Sequence, residues 1–190
     1  MSPPKTTTKR STLGGSVETP MPIAFLSPEL ARWDQLADTP GGPPELLALP
    51  FFSDERPLRG AAGLVDWRLC GRLSRLLAAD RVTGAPGETT LLPAQRLPFQ
   101  KLLLFGLGDA DRFDEGRYRE AVAGLKQVVG RLGIARYALA LPGRSTGHIM
   151  ARRALELWLD AGEKEREVWL VEPQAAQKEM SEALGRGSRR

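Results

Sequence analysis

Along the chain, short continuous apolar runs alternate with longer stretches of helical period. Residues 22–26 form a first run, closed by Ser27-Pro28. Residues 45–52 form a second, reached through the breaker cluster Thr-Pro-Gly-Gly-Pro-Pro at 39–44. Runs this short, apolar at successive positions and bounded by Pro and Gly, predict strands buried on both faces. Residues 60–80 then place Val65, Leu69, Leu73, Leu76 and Leu77 on one face and Arg68, Arg72 and Arg75 on another, which predicts one amphipathic helix. Further strands are predicted at 88–92, 101–105, 137–141 and 168–171. Helices are predicted around Tyr118, Ala121, Val122, Leu125, Val128, Val129 and Leu132, over 149–159 with Met150, Ala154, Leu157 and Trp158 aligned, and over 174–184. Strands alternating with helices in this way imply an α/β fold with a mostly parallel central sheet covered on both faces.

A length of 190 residues suits one core with tails. Residues 1–20 are rich in Ser, Thr, Pro and Lys and read as a disordered basic tail; residues 21–185 read as the domain, and 186–190 as a second basic tail. Each end carries an excess of two positive charges, which accounts for the formal net charge of +4 and leaves the middle neutral. That balance argues against a nucleic-acid partner held on a folded basic face. No apolar run approaches the roughly 20 residues needed to cross a bilayer, and the polar N-terminus lacks an apolar signal region, so a cytoplasmic protein is expected. Cys70, the single cysteine, falls within the helical apolar pattern and is read as a small core residue rather than a nucleophile.

In parallel sheets ligands lie beyond the carboxyl ends of the strands, where loops lead into helix N-termini. Two loops have that form. Gly106 and Gly108, after the run Leu103-Leu104-Phe105, mark a sharp turn but lack the third glycine and the acidic partner of a dinucleotide fingerprint. In the second, Gly143, Arg144, Ser145, Thr146 and Gly147 precede a helix, with Ser145 or Thr146 expected as its N-cap and the backbone N–H groups as an anion cradle. His148 beside that helix start has no nucleophile placed with it by any pattern. Asp109, Asp111, Asp114 and Glu115 read more naturally as helix-start acids than as metal ligands. Trp33, Trp67, Trp158 and Trp169 are expected to supply packing, and the alternating charges at 163–167 a solvated connection. No catalytic set, metal site or cofactor is expected.

The order of elements from about residue 46 to 171, the glycines Gly60 and Gly63 opening the first long helix, Gly87-Glu88 before a strand, and Leu103-Leu104-Phe105-Gly106-Leu107-Gly108 resemble the N-terminal domain of the leucyl aminopeptidase family. The resemblance implies a three-layer α/β/α macro-like fold and a part in organising an oligomer. In that family the chemistry belongs to a separate domain, with two metal ions held by carboxylates and a lysine. That domain's signature includes asparagine, and this sequence contains none. A non-catalytic module acting through a homo-oligomer or a protein partner is therefore expected. The same fold is similar to macro domains that bind ADP-ribose. By that likeness Ser145, Thr146 and Gly147 would contact phosphate, and Gly60 and Gly63 would let the ligand approach closely, making a nucleotide or ADP-ribose the alternative partner. Macro-type hydrolases use asparagines where this chain has Phe51-Phe52-Ser53-Asp54.

Overall fold

Six strands form one sheet in the order β1-β6-β5-β2-β4-β3. The computed structural model describes residues 23–29, 33, 36, 41–162 and 166–187. The expected N-terminal tail, residues 39–40 of the breaker cluster, residues 163–165 of the charge run and residues 188–190 lie outside the described residues. The strands are β1 (Ile23–Leu26), β2 (Leu46–Phe51), β3 (Thr89–Pro93), β4 (Lys101–Gly106), β5 (Arg136–Leu139) and β6 (Glu167–Val171). The helices are α1 (Gly60–Arg68), α2 (Arg72–Ala78), α3 (Glu115–Arg131), α4 (Ala151–Asp160) and α5 (Gln174–Gly187). All pairings are parallel except β3 with β4, so the antiparallel strand lies at one edge.

The burial of each strand follows from its place. β2, at the centre, is buried at every residue, which is why it reads as an unbroken apolar run, whereas edge strand β3 alternates exposed and half-buried positions. Successive residues of β2 feed opposite cores. Leu46 and Ala48 pack with Leu103, Leu139, Tyr118, Val122 and Trp158 under α3 and α4; Leu47, Leu49 and Phe51 pack with Leu102, Leu104, Val65, Leu73 and Leu77 under α1 and α2. Helices on both faces of one sheet make the expected three layers.

The helix expected over 60–80 is in fact two. Cys70 and Gly71 take left-handed backbone angles, φ 55° and 75°, and break it. The new N-terminus is satisfied by Asp66, buried on the apolar face, whose carboxylate accepts from Leu73 N at 2.7 Å, Ser74 N at 3.1 Å and the Ser74 hydroxyl. The break turns Cys70 outward, so it is exposed and not a core residue. Two more expectations of packing are corrected. Trp67 is 75% exposed on the outer side of α1, and Met150, just before α4, is 67% exposed. Of the expected solvated run, Arg166 and Glu167 are half-buried, with Arg166 Nε donating to Ile134 O and Glu167 accepting from Arg136 and Trp169.

Candidate functional site

The carboxyl ends of β2, β5 and β6 border a cavity of about 280 Å³, lined by Pro50, Gly60, Ala61, Arg144, Ser145 and Glu172 among others. The fold therefore brings together two of the loops singled out in the sequence. They touch: a Cβ at Gly60 would lie 3.1 Å from the Cβ of Ser145. Gly63, one turn into α1, faces the Leu58 carbonyl so closely that a Cβ there would lie 2.4 Å from its oxygen.

Several donors at this junction are taken by the chain's own carboxylates. Glu55, 6% exposed, accepts from Arg59 N at 2.9 Å, from Phe52 N at 3.4 Å and from the Ser145 hydroxyl at 3.4 Å. Arg59 is the N-cap residue of α1 and makes no side-chain cap, so Glu55 stands where the helix dipole favours an anion. On the far wall Arg144 holds Glu172, which is 1% exposed, through Nε and Nη2 at 3.0–3.3 Å. Burial pushes the Glu172 carboxyl above the usual carboxylate range, and the Arg144 guanidinium opposes that shift. Beneath them Tyr118 donates to Ala154 O at 2.6 Å, its phenol pushed up by burial and by the charge of Glu172.

The loop after β5 is a tight turn rather than a helix cap. Arg144 N and Gly147 N donate back to Leu141 O and Arg144 O, and the Thr146 hydroxyl to Gly143 O, each at 3.4 Å. Helix α4 starts only at Ala151, behind Met150, so neither Ser145 nor Thr146 caps it, contrary to the sequence expectation. Gly143 is required by packing: at φ 71° a Cβ would sit 2.5 Å from the Phe113 ring. Gly147 faces open space. His148 is exposed and lies edge-on to Phe52, with ring centroids 5.6 Å apart.

Gly106 and Gly108 bind the chain to itself. Gly106 N donates to Glu88 O, Gly87 N to Gly106 O, and Gly108 N to Gly84 O, all at 2.8–2.9 Å, and a Cβ at Gly106 would lie 2.1 Å from Ala85 O. The concave backbone of residues 83–85 that these contacts shape is filled by the Glu88 carboxylate, which accepts from Thr83, Gly84 and Ala85 N–H groups and the Thr83 hydroxyl. Burial acts to raise the Glu88 pKa, but those hydrogen bonds prevail and hold it below the ordinary range. A cavity of about 320 Å³ beside Gly108 includes Ser53, Asp109, Arg112 and Arg117.

The acids before α3 serve separate structural ends. Asp114 caps α3 by accepting from Arg117 N at 2.8 Å, Glu115 pairs with Arg153, and Asp109 accepts from the Ser53 hydroxyl at 2.7 Å. No group of three or more potential metal ligands occurs among the described residues. Sequence reasoning gave Glu55 and Glu172 no role and named Glu88 only as part of the Gly87-Glu88 motif before a strand. Glu172 also left a signal, as an acid closing the apolar run Val168-Trp169-Leu170-Val171 at a strand's carboxyl end.

Residues 48–161 match the family described as the cytosol aminopeptidase family, N-terminal domain. A probable cytosol aminopeptidase of Picosynechococcus sp. is 31% identical over 116 residues, covering 59% of this chain and 24% of that protein. One of Cyanothece sp. is 32% identical over 80 residues, covering 42% of this chain and 16% of that protein. The chain thus spans a quarter or less of the length of these two relatives. Among solved structures, a tomato leucine aminopeptidase mutant superposes on 86% of this chain and 35% of its own, with a TM-score of 0.56 and 14% identity. The Oceanobacillus iheyensis macrodomain with ADP covers 77% of this chain and 85% of its own, with a TM-score of 0.60 and 10% identity. A Trypanosoma brucei macrodomain in complex with ADP-ribose covers 74% and 63%, with a TM-score of 0.58 and 14% identity. At such identities the likeness is one of fold.

Proposed function

Because the chain belongs to the cytosol aminopeptidase family through that family's N-terminal domain, we propose that it is a non-catalytic binding and assembly module of the cytoplasm, acting by self-association or through a protein partner. The observation that carries this reading is the position of Glu55. Its carboxylate, bonded to Arg59 N and the Ser145 hydroxyl, stands between the two glycine loops where a phosphate would need the same donors. A second anion a few ångströms away, at an effective dielectric of about 20, meets a repulsion of roughly 4 kcal/mol. On the opposite wall Glu172 already holds Arg144, so of the two arginines lining the cleft only Arg59 is left to an incoming phosphate.

A specific observation favours one further reading, a macro-type binder of ADP-ribose or a related nucleotide. The loop of residues 143–147 and the start of α1 meet at Gly60 and Ser145, and structures of similar fold are described as holding ADP and ADP-ribose. By that reading Ser145, Thr146 and Gly147 would face phosphate, with Gly60 and Gly63 beside it and Gly106 and Gly108 in the neighbouring loop.

Light scattering on the purified chain, calorimetric titration with ADP-ribose, and leucyl-amide hydrolysis assayed with zinc or manganese separate these readings. Self-association without ADP-ribose binding or metal-dependent turnover is the expected result. Metal-dependent turnover that follows the chain through purification would sink the non-catalytic reading.

A further inference from the structure

On the outer side of α1, two large apolar side chains stand in solvent: Trp67, 75% exposed, and Leu64, 38% exposed. Trp67 borders a groove of about 690 Å³ that also includes Pro57, Leu58 and Cys70. An exposed indole beside an open apolar groove is the composition of a binding patch rather than of ordinary surface. Arg68 lines it too, and three further arginines stand at its Cys70–Gly71 end. Arg75 donates to Cys70 O at 2.7 Å, Arg96 lies 3.4 Å from the Cys70 sulfur, and Arg72 donates to Gln95 Oε1 at 3.3 Å.

These acceptors are all uncharged. Elsewhere Arg136, Arg144, Arg152 and Arg153 hold Glu167, Glu172, Glu156 and Glu115. The groove's own acid, Asp66, is buried and satisfied by Leu73 and Ser74. Among the described residues, the rim therefore carries positive charge with no carboxylate set against Arg72, Arg75 or Arg96.

We propose that the face formed by α1, α2 and residues 95–96 docks an acidic protein segment whose single apolar anchor seats beside Trp67 while its carboxylates meet Arg72, Arg75 and Arg96. This rests on, and sharpens, the reading of the chain as a binding module. Carboxylates pair with guanidinium forks, and Trp and Arg are the residues that dominate interface energies. A second copy is a poorer occupant, because its exposed carboxylates, such as Asp111, Glu120 and Glu182, stand on helices rather than on a segment free to follow the rim. Nucleic acid is poorer too. Arg75 and Arg96 at Cys70, with Arg72 at Gln95, do not lay out the extended run of phosphate contacts that such binding draws on.

Fluorescence anisotropy on the full chain tests the proposal. The probe is a short labelled peptide of alternating Glu and Ser with one central Leu, run beside the same peptide with Gly for Leu and a labelled single-stranded oligonucleotide. The Leu peptide should bind saturably, about tenfold tighter than the Gly peptide. Trp67→Ala and Arg75→Glu should each weaken it about tenfold or more. Trp67→Ala should leave the melting temperature unchanged because the indole is exposed, and Arg75→Glu should lower it only through the lost bond to Cys70 O and the reversed charge in the last turn of α2.

Absence of saturable binding, equal binding of the two peptides, or oligonucleotide binding that depends on Arg75 but not Trp67 would each overturn it. A dimer that dissociates on Trp67→Ala would also overturn it, making a second copy the occupant. A dimer that persists in Trp67→Ala, with no peptide bound, removes this surface but leaves the assembly reading standing. Tight ADP-ribose binding alongside the expected peptide result strikes the cleft reading alone.

Discussion

Arg144 and Glu172 form a closed pair at the end of β6. Arg144 Nε and Nη2 donate to the Glu172 carboxylate, and Nη1 donates to Ile149 O at 2.9 Å, with side chains only 18% and 2% exposed. A residue that the sequence offered as a ligand contact is thereby also the one that fixes the loop of residues 143–147 to the sheet. Removing one partner of a buried pair leaves an uncompensated charge, which typically costs 3–5 kcal/mol, whereas replacing both by apolar residues of similar volume is often neutral. Arg144→Ala should therefore lose about 3 kcal/mol in urea unfolding. The double change Arg144→Met with Glu172→Leu should recover most of it.

The glycines of the same loop should separate by packing. Both Gly143 and Gly147 have positive φ, 71° and 75°, so an L residue at either is strained by about 1 kcal/mol. At Gly143 the added Cβ also collides with the Phe113 ring, while at Gly147 it meets nothing. Gly147→Ala should cost about 1 kcal/mol, and Gly143→Ala at least about 1 kcal/mol more. Equal melting temperatures for the two variants would contradict this packing.

Acid should destabilise the fold through carboxylates that are hydrogen-bonded when charged. Glu88 and Glu167 are both held below the ordinary glutamate value of 4.5. For Glu88 burial opposes the shift, but Thr83, Gly84 and Ala85 outweigh it; for Glu167 the Arg136 bond leads. A depressed folded pKa means stability that is full above 4.5 and lost as pH falls through the folded value. Glu172 runs the other way. Its raised pKa makes ionisation a burden above the folded value, relieved as pH falls. The melting temperature should thus drop below about pH 4.5, and Glu88→Gln should flatten that acid limb. An identical acid limb in both proteins would show that residues 83–85 gain nothing from the Glu88 charge.

How much of this was legible in the sequence depended on whether the cause was local. β2 and β4 were readable because central parallel strands are apolar at every position, and α3 because its apolar face repeats at helical spacing over Tyr118, Ala121, Val122, Leu125 and Val129. The break between α1 and α2 was not, because it depends on a buried Asp66 reaching forward to Leu73 and Ser74 and on left-handed Cys70 and Gly71. At the site, the glycine loops could be found from their composition. Their occupants could not: Glu55 and Ser145 stand 90 residues apart, and only the β2-β5 pairing brings them together. Charge sums were misleading in the same way. A neutral middle gives no sign that Arg72, Arg75 and Arg96 share one face while other arginines are paired with carboxylates.

Glu55 decides between the two readings of the cleft, and one substitution tests it. Glu55→Gln keeps the shape and one acceptor oxygen for Arg59 N but removes the charge at the start of α1. The lost charge-assisted bonds and dipole interaction should lower stability by about 1–2 kcal/mol. If the carboxylate is what excludes phosphate, removing it should also raise affinity for ADP-ribose by about tenfold or more, from a wild-type value no tighter than about 1 mM. Calorimetric titration of wild type and variant measures both points at once. Wild-type binding in the low micromolar range that Glu55→Gln leaves unchanged, and that Gly147→Val abolishes, would show that the loop cradles phosphate despite Glu55. The nucleotide-binding reading would then replace the assembly module.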